Sequence, residues 1–440
     1  MITSDYSLAR IEKDEELSDF QAIANISISG ISLEEHPNLL VFPDSFEQYD
    51  RDLGNKVICF IDPEKKTLLT NSIVGFVGRN SSRLSIHSRF AEKGQDYFLH
   101  YMLQMVAKIN IFNLQHTLDE DSVFDFMIYL FPLYLKRALR QGIYKRYVTH
   151  HYNDSYVKGT IDVSRHIRFN YPFNGNVAFR TREYDYDNEI TQLIRHTLEY
   201  ISSLGYGKDI LNIDIETRQA VSQIREATPT FERNHLRSII NKNIKPIAHP
   251  FYSEYTPLQR LCLQILRHEE LKYGQEQEEI YGVLIDAAWL WEEYLATVIE
   301  EKYNHYLREE GPKFFLFSRR KHRQQIVPDY LSKDKSIVAD AKYIPLDEEG
   351  NYGDEKATSI YYKTITYMYR FCAEVAYLLY PHRDSKPTAD RDEYKIETEI
   401  EGTNGGSIIK QGLRIPVESK DFNDFVMKMR IAERQFISKI

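Results

Sequence analysis

At 440 residues, with 42% hydrophobic and 28% charged side chains, the chain is globular in composition and long enough for two or three domains, which excludes a disordered or fibrous protein. A formal net charge of -9 excludes a surface that coats nucleic acid along its whole length. No stretch approaches the run of about 18 apolar residues that a membrane span needs, and the opening MITSDYSLARIEKDEELSD places acids where a secretory leader needs a basic flank, so a cytoplasmic protein without membrane contact is expected.

Residues 1–110 contain the strand-like runs KVICFID, SIVGFVG and RLSIHSR, joined by the turn-like PEKK and RNSS, and read as a β-rich N-terminal module. His87 lies within it without any partner of metal-ligand spacing and reads as a packed or surface histidine. Across 111–266 the periodicity becomes mainly helical. FDFMIYLFPLYLKRALRQG ends at Gly142, a plausible helix stop, and DNEITQLIRHTLEYISSLG has Asp187 or Asn188 as its cap and Gly205 as its stop. The polar VKGTIDVSRHIRFN between them reads as a strand-like interlude, with Gly159 at a turn or close approach and Asp162 as a hydrogen-bond acceptor. This middle region is basic: Tyr134 to Arg182 carries ten Lys and Arg against two acids, a pattern equally consistent with a solvated face and with phosphate contact.

From 267 to 440 helices alternate with strands, which implies a sheet covered on both faces. VLIDAAWLWEEYLATVIEEKY reads as a long amphipathic helix, SIYYKTITYMYRFCAEVAYLL as a second, and GLRIPV as a late strand. The expected fold class is therefore α+β multidomain, with a β-rich module, a largely helical middle region and a C-terminal α/β domain. Cys59, Cys262 and Cys372 stand far apart without a Cys-x-x-Cys pair, so they read as buried thiols in a reducing compartment. The chain has no Walker A, Gly-x-Gly-x-x-Gly, His-Glu-x-x-His or Gly-x-Ser-x-Gly sequence.

The stretch with the strongest chemical content is QQIVPDYLSKDKSIVADAKYIPL, 324–346. Two β-branched runs flank the polar SKDK and read as a hairpin. A period of two places Val338, Asp340 and Lys342 on one face of its second strand, and closure of the hairpin brings Asp329 toward them. Two carboxylates suit a magnesium ion that completes its shell with water and substrate phosphate, and a neighbouring ammonium suits charge developing on that phosphate. The same residues also fit a plain ion pair beside an aspartate that caps a turn. Just upstream, KFFLFSRRKHR carries five Lys and Arg and no acid, so Arg319, Arg320, Lys321 and Arg323 are candidate DNA contacts.

A helix with Glu, then Pro-Asp, Asp-x-Lys on a strand and a further helix resembles the nuclease core called PD-(D/E)xK. ALRQGIYKRYVTHHYNDSYVKGTIDVSRHIR, REYDYDNEITQLIRHTL and LWEEYL are similar, in order, to segments of McrC-like restriction subunits, most of all those of the LlaJI type. The resemblance spans roughly 125–380. It implies a Mg2+-dependent endonuclease, with Mn2+ as an alternative ion, in which Asp329 and Asp340 hold the metal, Lys342 is the catalytic lysine and Glu292 holds a water on the metal. It also implies DNA as substrate, an McrB-like AAA+ GTPase partner docked on residues 1–110, and a second copy of the chain at cleavage. That family often carries Tyr-Gln on the helix after the lysine, and this chain has Tyr362-Lys363 there instead. Two other readings remain open: a non-catalytic DNA-binding subunit that activates the same motor, and a stand-alone structure-specific nuclease.

Overall fold

The computed structural model describes residues 1–24, 39–42, 57–92, 95–107, 122–272, 280–305, 314–317, 324–344, 346, 354–383, 395–400 and 406–440. The chain forms two compact units, one made of Met1–Asn113 with Glu276–Ile440, the other of Leu114–Gln275. Two units thus stand where the sequence suggested three parts, and the expected boundary at 266/267 falls inside a helix.

The N-terminal segment contributes β1 (Ile2–Ser4), β2 (Leu8–Arg10), α1 (Asp14–Ile23), β3 (Leu39–Phe42), β4 (Cys59–Asp62), β5 (Thr67–Thr70), β6 (Ile73–Arg79), β7 (Ser82–His87) and α2 (Tyr97–Ala107). The three runs read from the sequence are β4, β6 and β7. Lys66 and Asn80 turn the chain between strands at φ +52° and +51°. β2, β5 and β4 form a small antiparallel sheet whose inner face buries Leu68.

The second unit contains α3 (Ser122–Arg140), β8 (Arg146–Asp154), β9 (Thr160–Ile161), α4 (Val163–Phe169), β10 (Val177–Asp185), α5 (Glu189–Ser203), α6 (Gly207–Leu211), α7 (Ile215–Ala227), α8 (Leu236–Lys242) and α9 (Tyr255–Lys272). Gly142, two residues beyond α3, takes φ +88°, a conformation that costs glycine nothing. Asn188 begins α5: its side chain accepts from the N–H groups of Ile190 and Thr191, and the Thr191 hydroxyl accepts from the Asn188 N–H. The strand-like interlude is half helical. After two residues of β9, Asp162 accepts from the Arg165 N–H and starts α4. A Cβ on Gly159 would lie 2.2 Å from the Arg180 carbonyl oxygen, so that glycine permits a close backbone approach.

The middle region is less helical than its sequence suggests, because β8 and β10 pair antiparallel over nine residues each. Their residues are largely solvent-facing. Tyr147, Tyr152 and Tyr184 are exposed, and Arg182 lies 5.0 Å from the Tyr147 ring centre.

The chain then returns to the first unit through β11 (Ile280–Asp286), α10 (Ala287–Ile299), β12 (Tyr303–His305), β13 (Tyr330–Ser332), β14 (Ile337–Ala341), α11 (Asp354–Phe371), β15 (Val375–Arg383), β16 (Lys395–Glu399), β17 (Ser407–Ile415) and α12 (Phe422–Lys439). The expected helix VLIDAAWLWEEYLATVIEEKY is thus a strand followed by a helix, divided at the buried Asp286, whose carboxylate accepts from the Ala288 N–H. β11 enters the N-terminal sheet, ordered β1-β7-β6-β11-β3, and pairs antiparallel with β6 and parallel with β3. The expected second helix divides likewise, because α11 ends at Phe371 and β15 begins at Val375. Cys372 between them takes φ +56° and is exposed, in contrast to the buried Cys59 and Cys262.

The remaining strands make a six-stranded mixed sheet, ordered β12-β13-β14-β15-β17-β16, with β14, β15 and β17 parallel. α11 is the crossover between β14 and β15 that a parallel pair requires, and it packs Tyr367 and Met368 on Val338 and Leu378. Elsewhere in the unit, buried Glu433 of α12 accepts hydrogen bonds from Tyr101 of α2 (2.8 Å) and Tyr294 of α10 (2.6 Å). The three helices are thereby tied around one carboxylate, which compensates its loss of water.

Candidate active site

The hairpin of β13 and β14 assembles the site. Asp334 closes its turn by accepting from Ser332, Ser336 and the Ser336 N–H, while Lys335 supplies the left-handed residue at φ +64°. The register pairs Tyr330 with Ala339 and Leu331 with Val338, so the next step brings Asp329 opposite Asp340. The Ala341 N–H donates to Asp329 Oδ2 at 2.7 Å, which holds that carboxyl across the strand pair. Lys342 Nζ forms a close ion pair with Asp340 Oδ2. The three residues singled out on sequence spacing therefore converge, with Asp329 just before β13 rather than within it.

The neighbouring strand fixes the depth of the group. The Lys342 N–H donates to the Leu379 carbonyl of β15 at 2.8 Å, and Trp291 Nε1 of α10 donates to the same oxygen at 3.2 Å. α10 and the β14 edge are thus registered on one acceptor. Arg89, from the segment after β7, donates to the Tyr343 carbonyl at 2.9 Å and to Asp5 Oδ2 at 2.8 Å. Its guanidinium carbon lies 4.3 Å from the Tyr343 ring centre. The buried Asp5, in the turn after β1, accordingly braces through Arg89 the residue that follows Lys342.

Burial gives the trio an uneven proton distribution. It raises the Asp329 carboxyl well above the usual carboxylate range, and the charges of Asp340 and Glu292 add to the rise. For Asp340 burial acts in the same direction, but the Lys342 and Lys363 ammoniums and a hydrogen bond with Asp329 outweigh it and bring the group down to about 2. Lys342 is raised above the ordinary lysine value, because Asp340 and Asp329 overcome the desolvation that would lower it. Burial and neighbouring charge thus disfavour ionisation of Asp329 and favour that of Asp340, beside the Lys342 ammonium.

Glu292 projects from α10 and comes within electrostatic reach of Asp329. Its Oε1 lies 3.0 Å from His305 Nε2, its backbone carbonyl accepts from the Tyr330 hydroxyl, and the His305 and Tyr330 rings lie 5.3 Å apart. His305 carries no sequence signal, since nothing in its spacing from Glu292 marks the pair. Lys363 of α11, at the position where the family often carries glutamine, also acts electrostatically on both aspartates and on Lys342. Arg319, Arg320, Lys321 and Arg323 lie outside the described residues.

The donor set fits a hard divalent cation. Both Asp340 carboxylate oxygens are shielded from solvent and face the Lys342 ammonium and the Asp329 carboxyl, which together occupy fewer positions than a carboxylate's four lone pairs offer. Oxygen capacity is thus left over beside a second carboxyl. No cluster of three or more His, Cys, Asp or Glu groups with metal-ligand geometry occurs among the described residues. A carboxylate pair is what magnesium commonly takes from protein, leaving positions for water and phosphate.

Comparison with known proteins bears on this geometry. Residues 68–381 match the family described as McrBC 5-methylcytosine restriction system component. The chain belongs to that family. No curated protein matches it. Among solved structures, it is similar to a half-complex from the tetradecameric assembly of Thermococcus gammatolerans McrB AAA+ hexamers with bound McrC, at 15% identity and a TM-score of 0.49, over 98% of this chain and 99% of that one. It is also similar to the Thermococcus gammatolerans McrBC complex, at 16% identity and a TM-score of 0.32, over 69% and 89%. Among the described residues, no helix is long and apolar enough to cross a membrane.

Proposed function

We propose that this McrBC-family chain is the nuclease subunit of a GTP-dependent restriction system of the LlaJI type, and that its C-terminal sheet is a PD-(D/E)xK core hydrolysing DNA phosphodiesters. The observation that carries the reading is the meeting of Asp329, Asp340 and Lys342 on one hairpin, shielded from solvent. Asp329 and Asp340 would hold Mg2+, or Mn2+ in its place. Bound there, the ion would polarise a phosphoryl oxygen and acidify an attacking water. Asp329 would coordinate as the carboxylate, the form that a cation's charge favours. Lys342 would offset charge developing on the phosphate, and Glu292, hydrogen-bonded with His305, would hold a water on the metal.

Among the described residues one chain carries one such site, so cutting both strands of a duplex requires a second copy. The sequence has no P-loop, and nucleotide consumption falls to an McrB-like AAA+ GTPase partner. The N-terminal module is the proposed docking element for it. A cross-strand row of Leu8, Leu69 and Phe60 supports this, since these residues are 69%, 45% and 50% exposed on the outer face of the small sheet. Leu8→Asp with Phe60→Asp should abolish stimulation of the GTPase, and undiminished stimulation would refute the docking site. The catalytic reading is tested by plasmid cleavage in Mg2+, with and without GTP and the partner, on modified and unmodified DNA. Asp340→Ala or Lys342→Ala cutting at the wild-type rate would overturn it, and stimulation of the GTPase without any metal-dependent nicking would indicate an activator subunit.

A further inference from the structure

α10 carries adjacent glutamates, Glu292 and Glu293, and the structure ties the first of them down at both its backbone and its side chain. The Glu292 carbonyl accepts from the Tyr330 hydroxyl, and Glu292 Oε1 lies 3.0 Å from His305 Nε2. An ionised carboxylate has no proton to give, so Nε2 donates in this bond. His305 and Tyr330 are directly opposed across β12 and β13, and opposed residues of a strand pair share one face. Their rings lie 5.3 Å apart, inclined at 36°, and form a wall beneath α10. Tyr330 is fully buried and follows Asp329 directly. The wall therefore joins Glu292 to the strand on which Asp329 enters the site.

The position of the helix is fixed independently. Trp291, one residue before Glu292, donates from Nε1 to the Leu379 carbonyl, the acceptor shared with the Lys342 N–H. With the backbone held from both sides, the freedom left to Glu292 is that of its side-chain torsions, and the bond to His305 removes it. The His305 and Glu292 side chains are 7% and 17% exposed, so little water competes for that bond. We propose that His305 is a positioning residue of the nuclease site, which holds one Glu292 oxygen and leaves the second to the metal-bound water. The inference rests on the nuclease reading of Asp329, Asp340 and Lys342 and on the part given there to Glu292. Its physical content is orientation: a ring that touches neither ion nor substrate fixes the aim of the carboxylate that acts on the water.

The test uses the full chain with His305→Phe, which keeps a ring against Tyr330 and loses the donor, and His305→Gln, which keeps an amide donor at about the reach of Nε2. Titration calorimetry with MgCl2 alone should show His305→Phe binding Mg2+ about tenfold more weakly, as Glu292→Gln does. Plasmid nicking with GTP and the partner should fall by about tenfold to a hundredfold at saturating DNA, with the half-saturating DNA concentration unchanged. His305→Gln should recover most of both quantities. In a chain that already carries Glu292→Gln, adding His305→Phe should change neither by more than about twofold, because the carboxylate it aims is gone. Equal losses in the two backgrounds would reduce His305 to a packing residue and overturn the proposal, as would wild-type Mg2+ affinity and nicking in His305→Phe, or a His305→Gln as impaired as His305→Phe. Failure of the underlying reading looks different: Asp340→Asn nicking at the wild-type rate removes the nuclease assignment, whereas Glu292→Gln nicking at that rate removes Glu292 from it, and the proposal falls in either case.

Discussion

Asp329→Asn and Asp340→Asn differ from the wild type by one group each, yet the electrostatics of the hairpin separates their consequences. Burial and the charges of Asp340 and Glu292 disfavour the ionised form of Asp329 in the metal-free protein, so an asparagine there removes little charge interaction, keeps an acceptor for the Ala341 N–H and offers a donor toward Asp340. Its cost in stability should stay within about 1 kcal/mol, the worth of one imperfect hydrogen bond. Asp340→Asn instead removes the charge that holds the Lys342 ammonium in a site where the aspartate and lysine side chains are 2% and 18% exposed. Stranding one partner of a buried pair costs about 3 kcal/mol, and at about 2–4 °C per kcal/mol for a folding unit of this size the melting temperature falls by about 6–12 °C. Both variants should lose cleavage by about a hundredfold or more, since each deletes a metal oxygen or its charge. Thermal unfolding in EDTA, paired with plasmid nicking in Mg2+, reads the two effects separately. Equal melting temperatures for the two variants, or a larger drop for Asp329→Asn, would refute the reasoning that Asp329 is the less readily ionised of the two, even if both were inactive.

Other outcomes follow from contacts elsewhere. Arg89→Ala strands the buried Asp5 and frees the Tyr343 carbonyl; it should cost about 3 kcal/mol in urea unfolding and reduce cleavage, and Asp5→Asn in the same chain should recover part of the stability. His196 is packed on Phe231 at 4.7 Å, and burial, with His235 and Arg195 nearby, pushes its pKa down to about 4. Because this folded value lies below the ordinary 6.5, its neutral form stabilises the second unit above pH 6.5, and that contribution, at most about 3 kcal/mol, is lost as pH falls toward 4. His196→Gln should flatten the dependence, and an unchanged slope between pH 7 and 5 would exclude His196 as its source. Asn188→Ala removes the cap of α5 together with side-chain bonds to the Tyr144, Asp185 and Tyr186 carbonyls; calorimetry should register a loss of about 2 kcal/mol.

Legibility in the sequence tracked how local each determinant is. Asn188 and Gly142 were readable because a cap or a left-handed stop is encoded within a few residues. The hairpin at 329–342 was readable for the same reason, since a polar turn and a period of two suffice to place Asp329 opposite Asp340. VLIDAAWLW was read as one helix because β11 and the start of α10 are both buried, and a continuous apolar run has no period to separate them. Asp286 was the one visible mark of the joint. β8 and β10 were missed for the opposite reason: exposed tyrosines, histidines and arginines on both strands leave no apolar alternation to detect. At the site, His305 and Lys363 reach the carboxylates only through the stacking of β12 and α11 on the hairpin.

The strand β11 gives the first hundred residues an unusual dependence on the order of synthesis. β3 and β6 leave between them a slot that only residues 280–286 fill, and those emerge from the ribosome after the whole of the second unit. A nascent chain holding β6 and β3 without that filler presents unpaired backbone edges for as long as about 200 further residues take to be translated, a window of tens of seconds at bacterial or eukaryotic elongation rates. Fragments ending before 286 should therefore be recovered as aggregates or chaperone-bound species, and the same strand leads directly into the helix that carries Glu292.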